Sequence, residues 1–164
     1  MTRFRIEPGF AEGERPQIVA LLREYEAGLG VSLCFQGFEA EVAGLPGAYA
    51  PPLGALLVAR EAAGGLAGHV WGLVALRPLP ERPGACEMKR LFVRPAARGS
   101  GLGTALAVAA LEEARRLGYA RMCLDTLPSM RGAQALYRSL GFRHTGASRT
   151  EPVVLLFERE LAPP

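Results

Sequence analysis

Three glycines alternate with other residues just before a helix-like pattern, at Gly99, Gly101 and Gly103. Arg98 precedes them, and an apolar segment ending at Val93 comes before the loop. In a strand, loop and helix of this kind, the first backbone N–H groups of the helix lack intrahelical partners, and the helix dipole adds to their attraction for an anion. Because glycine has no Cβ, a phosphate can approach such a backbone closely. The spacing therefore predicts a phosphate-binding loop, with a tight strand-to-helix turn as the alternative.

Two other kinds of phosphate loop do not fit this segment. A P-loop ends in Lys followed by Ser or Thr, whereas Gly103 is followed by Thr104 and Ala105. A dinucleotide fingerprint, G-x-G-x-x-G, that began at Gly99 would need its third glycine at Thr104. The segment therefore belongs to neither class.

Alternating and amphipathic segments surround the loop. Period-2 alternation and short apolar runs predict seven strands, and 3.6-residue periodicity predicts four helices. The order is strand, two helices, three strands, helix, strand, helix and two strands, which predicts a mixed α/β (α+β) fold with helices covering a central, mostly antiparallel sheet. The helix after the loop carries Leu102, Leu106, Ala110 and Ala114 on one face, and we expect that face to pack inward.

The composition is typical of a packed globular protein, with 49% hydrophobic and 21% charged residues among 164. We expect a single domain over residues 1–164, because that length suits one core. No apolar run of about 18 residues occurs, and charges interrupt the first residues, so we expect neither a membrane span nor a signal peptide, and a cytoplasmic location. The three cysteines, Cys34, Cys86 and Cys123, lie far apart and lack C-x-x-C spacing, which predicts reduced, buried thiols and neither disulfides nor a zinc site.

The net charge of +3 raises the question of a nucleic-acid partner. The arginines are scattered along the chain and form no basic, aromatic strip of the kind that binds single strands. We therefore expect no nucleic acid, and a small anionic ligand explains the surplus charge equally well.

The loop and two further motifs resemble the GNAT superfamily of acyl-CoA-dependent N-acetyltransferases. The family's loop has Arg or Gln, two residues, Gly or Ala, one residue, and Gly or Ala again, which Arg98, Gly101 and Gly103 match. A strand ending in V-x-P occurs at residues 93–95, and A-x-x-L-Y-x-x-x-G-F occurs at residues 133–142. The element order also agrees over nearly the whole chain. The resemblance implies a GNAT-like fold of about seven strands and four helices.

The same resemblance implies acetyl-CoA as the cosubstrate and no metal. Backbone N–H groups of the loop would hold the CoA pyrophosphate, and a strand segment would pair with the pantetheine arm. The implied loop residues are Arg98, Gly99, Ser100, Gly101, Leu102, Gly103 and Thr104, and the strand residues are Leu91, Phe92 and Val93. Many relatives carry Asn seven residues before the tyrosine of the second motif, where this chain has Met130.

Glu87 and Tyr137 are the catalytic candidates that the resemblance implies. An alkyl ammonium near its usual pKa is neutral in roughly one molecule in a few thousand at pH 7, so a base or a water chain to a base should help. Glu87 lies in the strand before the loop, where some relatives carry a catalytic glutamate, and an exposed strand carboxylate paired with Lys89 or Arg90 is the alternative. Tyr137 occupies the family's position for the acid that protonates the departing thiolate, and a packed core ring is the alternative. His69 and His144 rank after these two.

The implied reaction is transfer of an acetyl group from acetyl-CoA to a primary amine by direct attack in a ternary complex. The acceptor is a small molecule or a peptide, with its identity open. No membrane partner is expected, and a homodimer stays open. A non-catalytic acyl-CoA-binding regulatory module is the alternative function.

Overall fold

The computed structural model describes residues 3–9, 13–63 and 68–163. Within these ranges the segments form the seven strands and four α-helices expected from the pattern, in the expected order. The strands are β1 (Phe4–Pro8), β2 (Ala55–Glu61), β3 (Val70–Pro78), β4 (Ala85–Val93), β5 (Arg121–Thr126), β6 (Arg143–Ala147) and β7 (Leu155–Glu160). The helices are α1 (Arg15–Leu29), α2 (Phe38–Ala43), α3 (Leu102–Arg116) and α4 (Arg131–Ser139). The predicted mixed α/β fold is confirmed.

All seven strands belong to one sheet, in the order β1-β2-β3-β4-β5-β7-β6. Every neighbouring pair is antiparallel except β4 and β5, whose parallel pairing follows from the long connection through α3. That parallel pairing is short, since residues 85–87 pair with residues 121–123 and the strands then separate. A gap therefore opens in the middle of the sheet.

A β-bulge interrupts β4 beside this gap. Phe92 lies opposite Leu73 and Lys89 opposite Ala75, so β4 has one residue more than β3 in between. Arg90 has a φ of 60° there, in the left-handed region, as one residue of a bulge can have. Because the extra residue breaks the alternation, Lys89 and Arg90 both face the α1 side of the sheet.

Each face of the sheet is covered by its own core. α3 buries the predicted face, Leu102, Leu106, Ala110 and Ala114, together with residues of β4, β5 and α4. The other core joins α1 and α2 to the sheet through residues such as Ile18. The gap between β4 and β5 thus lies between two packed layers.

No helix within the described ranges is long and apolar enough to cross a membrane. The same residues contain no group of three or more His, Cys, Asp or Glu side chains arranged to hold a metal. All three cysteines are free thiols; Cys86 and Cys123 are buried as predicted, but the prediction is wrong for Cys34, which is exposed at the start of the short 34–36 turn.

Candidate active site

Two connected spaces follow the gap between β4 and β5. The larger, called here the outer cleft, has a volume of about 740 Å³ and lies among the glycine loop, the end of β4 and the start of α4. The smaller, called the inner cavity, has a volume of about 30 Å³ and lies between the separating strands. Both are lined by Tyr25, Leu29, Leu91 and Met130, so the inner cavity continues from the outer cleft.

The glycine loop forms one wall of the outer cleft. Gly99 and Gly101 have φ angles of 76° and 84°, which favour glycine, and Gly101 directly precedes α3. A Cβ built on Gly103 would meet only Val93, at 3.9 Å, so the first turn of α3 has open space in front of it. The predicted loop residues that line the cleft are Arg98, Gly99, Gly101, Leu102, Gly103 and Thr104.

Ser100 has a different position from its neighbours in the loop. It does not line the outer cleft; its hydroxyl donates a 2.5 Å hydrogen bond to the carbonyl of Ala97. Arg98 is anchored by a 3.0 Å hydrogen bond from its Nε to the Val93 carbonyl, with its guanidinium 5.7 Å from the centre of the Phe92 ring. These contacts hold the loop against the end of β4.

The end of β4 forms the second wall of the outer cleft. Leu91, Phe92 and Val93, the strand residues for which the resemblance implies contact with pantetheine, all line it. The bulge lies immediately before these residues, and a bulge leaves backbone groups of the extra residue outside the regular ladder. On the opposite edge of β4 the pairing with β5 ends at Glu87 and Cys123, so backbone groups of residues 91–93 that point toward β5 have no ladder partner on that strand.

The start of α4 forms a third wall that sequence reasoning missed. Ser129, Arg131 and Gly132 line the outer cleft there, and the Arg131 side chain brings a second guanidinium besides Arg98. The sequence did contain a signal for this wall. The strand-loop-helix order of β4 and α3 is repeated in β5 and α4, and β5 lies next to β4 in the sheet. Met130, in the position of the usual Asn, lines both spaces and has its Sδ 3.7 Å from the Thr126 hydroxyl.

The inner cavity has a polar wall on the α1 side. The amide of Gln36 accepts hydrogen bonds at its Oε1 from Lys89 Nζ at 3.1 Å and from Arg90 at 2.8 Å. Its Nε2 donates to Asp125 Oδ2 at 3.3 Å. Arg90 also forms a bidentate ion pair with Glu41 at 2.9 Å. A single amide therefore joins β4 to β5 across the gap.

Tyr137 lies on the opposite, α4 side of the gap and lines the inner cavity. Its ring is buried, 5.9 Å from Phe142 and 6.2 Å from Phe157 between ring centres. Burial raises the pKa of its phenol, and the nearby Tyr25 and Asp125 add to that effect. The two sequence interpretations of Tyr137, a packed ring and a hydroxyl at the reaction site, are thus compatible.

Glu87 is half-buried beside the inner cavity but is not among the residues that line either space. Its Oε1 lies 2.7 Å from an Arg77 nitrogen and 3.9 Å from Lys89 Nζ, and its side chain is 14% exposed. Arg77 stands directly opposite it on β3. The carboxylate is thus ion-paired, and its role as a base stays a prediction.

The two histidines lie away from both spaces. His69 Nε2 is 2.7 Å from Arg94, and the His144 ring is 5.3 Å from the ring of Phe157. Both therefore have local partners at other places in the fold.

Comparisons with known proteins agree with this geometry. A model of the acetyltransferase (GNAT) family matches residues 33–142. A protein of Schizosaccharomyces pombe described as an uncharacterized N-acetyltransferase is 41% identical over 133 residues, which cover 81% of this chain and 78% of that protein. Other curated relatives are matched over less than half of their own length.

Solved structures share the fold at lower identity. A GNAT-family acetyltransferase from Staphylococcus aureus superposes with a TM-score of 0.78 at 15% identity, over 97% of this chain and 99% of that one. A Salmonella typhimurium acetyltransferase solved with its cofactor acetyl-CoA gives a TM-score of 0.71 at 20% identity, over 98% and 95% of the two chains. With the family model and the S. pombe relative, the predicted family is confirmed: this chain belongs to the GNAT acetyltransferases and is an acyltransferase.

Proposed function

We propose that the protein transfers the acetyl group of acetyl-CoA to a primary amine, by direct attack within a ternary complex. The observation that carries the proposal is the continuity of the two spaces. A long cleft with a helix N-terminus and two guanidiniums leads into a small polar cavity between β4 and β5. Acetyl-CoA has phosphates at one end, which suit the outer cleft, and a thioester at the other end, which suits the inner cavity.

The glycine loop is suited to the diphosphate of CoA. The first turn of α3 directs unpaired N–H groups into open space at Gly103, where any larger residue would place a side chain. Arg98 and Arg131 line the same cleft and supply positive charge. The pantetheine arm would follow Leu91 to Val93, where the bulge interrupts the regular ladder.

Acetyl-CoA supplies an activated thioester, and the chain's residues would supply proton transfer and charge stabilisation around it. A backbone N–H of β4 between Leu91 and Val93 would donate to the carbonyl oxygen as negative charge develops there. Tyr137, on the α4 side of the gap, would donate a proton to the departing sulfur; its raised pKa keeps the phenol protonated at neutral pH. The acceptor would enter from the α1 side, where Gln36 and Asp125 lie.

The base predicted from the sequence, Glu87, would act on the acceptor indirectly. Its carboxylate is separated from the inner cavity by Lys89, whose Nζ lies 3.9 Å away. Direct transfer to Glu87 would require its ion pair with Arg77 to open. We therefore keep Glu87 as a residue to be tested rather than as an assigned base.

A binding assay and an acceptor panel test the proposal together. Calorimetry should detect micromolar binding of acetyl-CoA. Release of free thiol should then be followed with a polyamine, an amino acid, an aminoglycoside and a peptide with a free N-terminus as acceptors. Thiol release with any of them supports the transferase, whereas binding without turnover of any amine would favour the non-catalytic acyl-CoA-binding module. A folded protein that does not bind acetyl-CoA would contradict both.

A further inference from the structure

Lys89 is the only lysine among the 19 Lys and Arg residues of the chain. Arginine stays protonated in proteins, whereas a lysine readily shifts its pKa when it is buried. Lys89 is 7% exposed, and its side chain lines the inner cavity. The one lysine side chain, which can become a neutral amine, therefore lies beside the proposed reaction site.

The strand register places Lys89 opposite a carboxylate. Glu87 and Cys123 are the last paired residues of β4 and β5, and Lys89 and Asp125 each follow two residues later. Both side chains thus face the α1 side, and their Nζ and Oδ1 atoms are 3.7 Å apart across the gap. Tyr137 lines the same cavity from the other face. A proton acceptor and a proton donor are therefore available on opposite sides of one gap.

The surroundings of Lys89 make its ammonium easier to deprotonate than that of an exposed lysine. Burial lowers the pKa of the Lys89 ammonium below its ordinary value of 10.5. The carboxylates of Asp125 and Glu87 oppose this, but at 3.7 and 3.9 Å neither is a close hydrogen-bond partner, and the guanidiniums of Arg90 and Arg77 add repulsion. The other titratable groups around the cavity are the phenols of Tyr25 and Tyr137 and, through Arg90, the carboxylate of Glu41.

We propose that Lys89 takes the proton from the acceptor ammonium, which Asp125 binds. This inference rests on the acetyl transfer proposed above. The neutral Lys89 amine accepts one proton from the ammonium and leaves a neutral acceptor amine. That amine attacks the thioester carbonyl, so that a C–N bond forms and the C–S bond breaks. Tyr137 gives its phenolic proton to the departing sulfur. The acceptor nitrogen loses its second proton on acylation, and this proton restores the Tyr137 phenol. Lys89 then releases the first proton to water.

The size of the inner cavity suits this role. A volume of about 30 Å³ has room for about two water molecules or one ammonium group, with polar partners on Lys89, Asp125 and Gln36. The desolvation that acts on Lys89 would act equally on an ammonium bound beside it. The two amines would then have comparable basicity, which is the condition for ready proton transfer between them.

The single lysine makes the titration directly observable. Protein labelled with ¹³C at lysine Cε gives one lysine resonance, and its pH titration reports Lys89 without assignment. We expect a midpoint below 10.5 in the free and CoA-bound protein. In the Asp125→Asn variant the midpoint of the Lys89 titration should fall further. The Asp125 carboxylate stabilises the Lys89 ammonium, and the variant removes that negative charge. A midpoint at or above 10.5 in both wild-type states would overturn the proposal, whether or not any amine is turned over.

Kinetics separate proton transfer from charge pairing. Lys89→Arg keeps the positive charge and donors to Gln36 but cannot become neutral. With the panel amine that wild type acetylates fastest, kcat at saturating acceptor should fall by about a hundredfold or more, while acetyl-CoA affinity is unchanged. The acid limb of the pH–kcat profile, which the proposal assigns to deprotonation of Lys89, should also disappear in this variant. A folded Lys89→Arg enzyme with the wild-type pH profile would refute the role of Lys89 and leave the transferase function intact.

If Lys89→Arg does not fold, the wild-type lysine titration still decides the proposal. If wild type binds no acetyl-CoA, the proposed function fails on that measurement alone. The two hypotheses therefore fail on different observations.

Discussion

The outer cleft and the inner cavity are continuous, yet they are built from different parts of the chain. One wall of the outer cleft is a single continuous segment, the loop and first turn of α3, where Gly101 and Gly103 lie. The inner cavity is made of side chains from α1, the 34–36 turn, β4, β5 and α4. Under the proposed function, backbone conformation would bind the cosubstrate in the outer cleft, and side-chain identity would determine proton transfer in the inner cavity.

This division predicts two classes of variants. Changes in the outer cleft should alter the affinity for acetyl-CoA with little effect on kcat. Changes in the inner cavity should alter kcat and its pH dependence with little effect on that affinity. An outer-cleft variant that alters mainly kcat, or an inner-cavity variant that alters mainly acetyl-CoA affinity, would contradict this distinction.

The largest effect is expected at Tyr137. Tyr137→Phe should lower kcat by about a hundredfold or more, because the proton for the departing sulfur is lost. The melting temperature and CoA affinity should change little, since the ring keeps its contacts with Phe142 and Phe157. As a control, Tyr137→Ala should lower the free energy of unfolding by about 3–5 kcal/mol. Wild-type turnover in Tyr137→Phe, measured where chemistry limits the rate, would exclude the acid role.

A charge introduced at Gly103 should weaken CoA binding by about a hundredfold. Gly103→Asp places a carboxylate in the first turn of α3, where space is open, and a like charge about 4 Å from a phosphate costs a few kcal/mol near a protein surface. The same carboxylate favours the helix N-terminus, so the melting temperature should not fall. Calorimetry gives the affinity.

Gly103→Asn is the matched control, because it has the same shape without the charge. It should weaken binding less than Gly103→Asp. Equal losses would indicate an effect of side-chain volume alone, and wild-type affinity in both variants would place the diphosphate elsewhere. Gly101 is a poorer position for this test, since its φ of 84° strains any other residue.

A smaller effect is expected at Glu87. Glu87→Gln removes a negative charge 3.9 Å from Lys89 Nζ, which makes Lys89 lose its proton more easily. The acid limb of kcat should therefore move to lower pH, with turnover at its plateau changed by less than about tenfold. If Glu87 is itself the base, the limb disappears and turnover at neutral pH falls steeply. The pH dependence of kcat at saturating acceptor distinguishes the two results.

The smallest effect is expected at Met130, where the two spaces meet. Met130→Asn restores the side chain common among relatives, and one added hydrogen bond of about 0.5–1.5 kcal/mol would tighten acetyl-CoA binding about two- to tenfold. Met130→Leu keeps the apolar character and should show no gain. An unchanged affinity in Met130→Asn would mean that the cosubstrate does not contact this position.

The same contrast explains what the sequence could predict. The glycine loop was recognisable because its function resides in consecutive residues, and the buried face of α3 because it repeats with the helical period. The hydrogen-bonded group of Gln36, Lys89 and Asp125 was not recognisable, because Gln36 and Lys89 are 53 residues apart and Gln36 and Asp125 are 89 residues apart. Only the packed sheet brings them together. The pairing of Glu87 with Arg77 likewise depends on a strand register that no local pattern encodes.

The bulge at Arg90 has a further consequence for how this enzyme can change. If the same residues of β4 formed a regular strand without a bulge, and Lys89 kept its place, strict alternation would turn Leu91 and Val93 to the α1 side and Phe92 to the α3 side. Both halves of the proposed site therefore depend on the residue count of one strand. Substitutions can diversify the acceptor side gradually, but a one-residue insertion between Lys89 and Leu91 would turn Leu91, Phe92 and Val93 to the opposite faces of the sheet in a single step. We expect sequence drift here to proceed by replacement and not by changes in length.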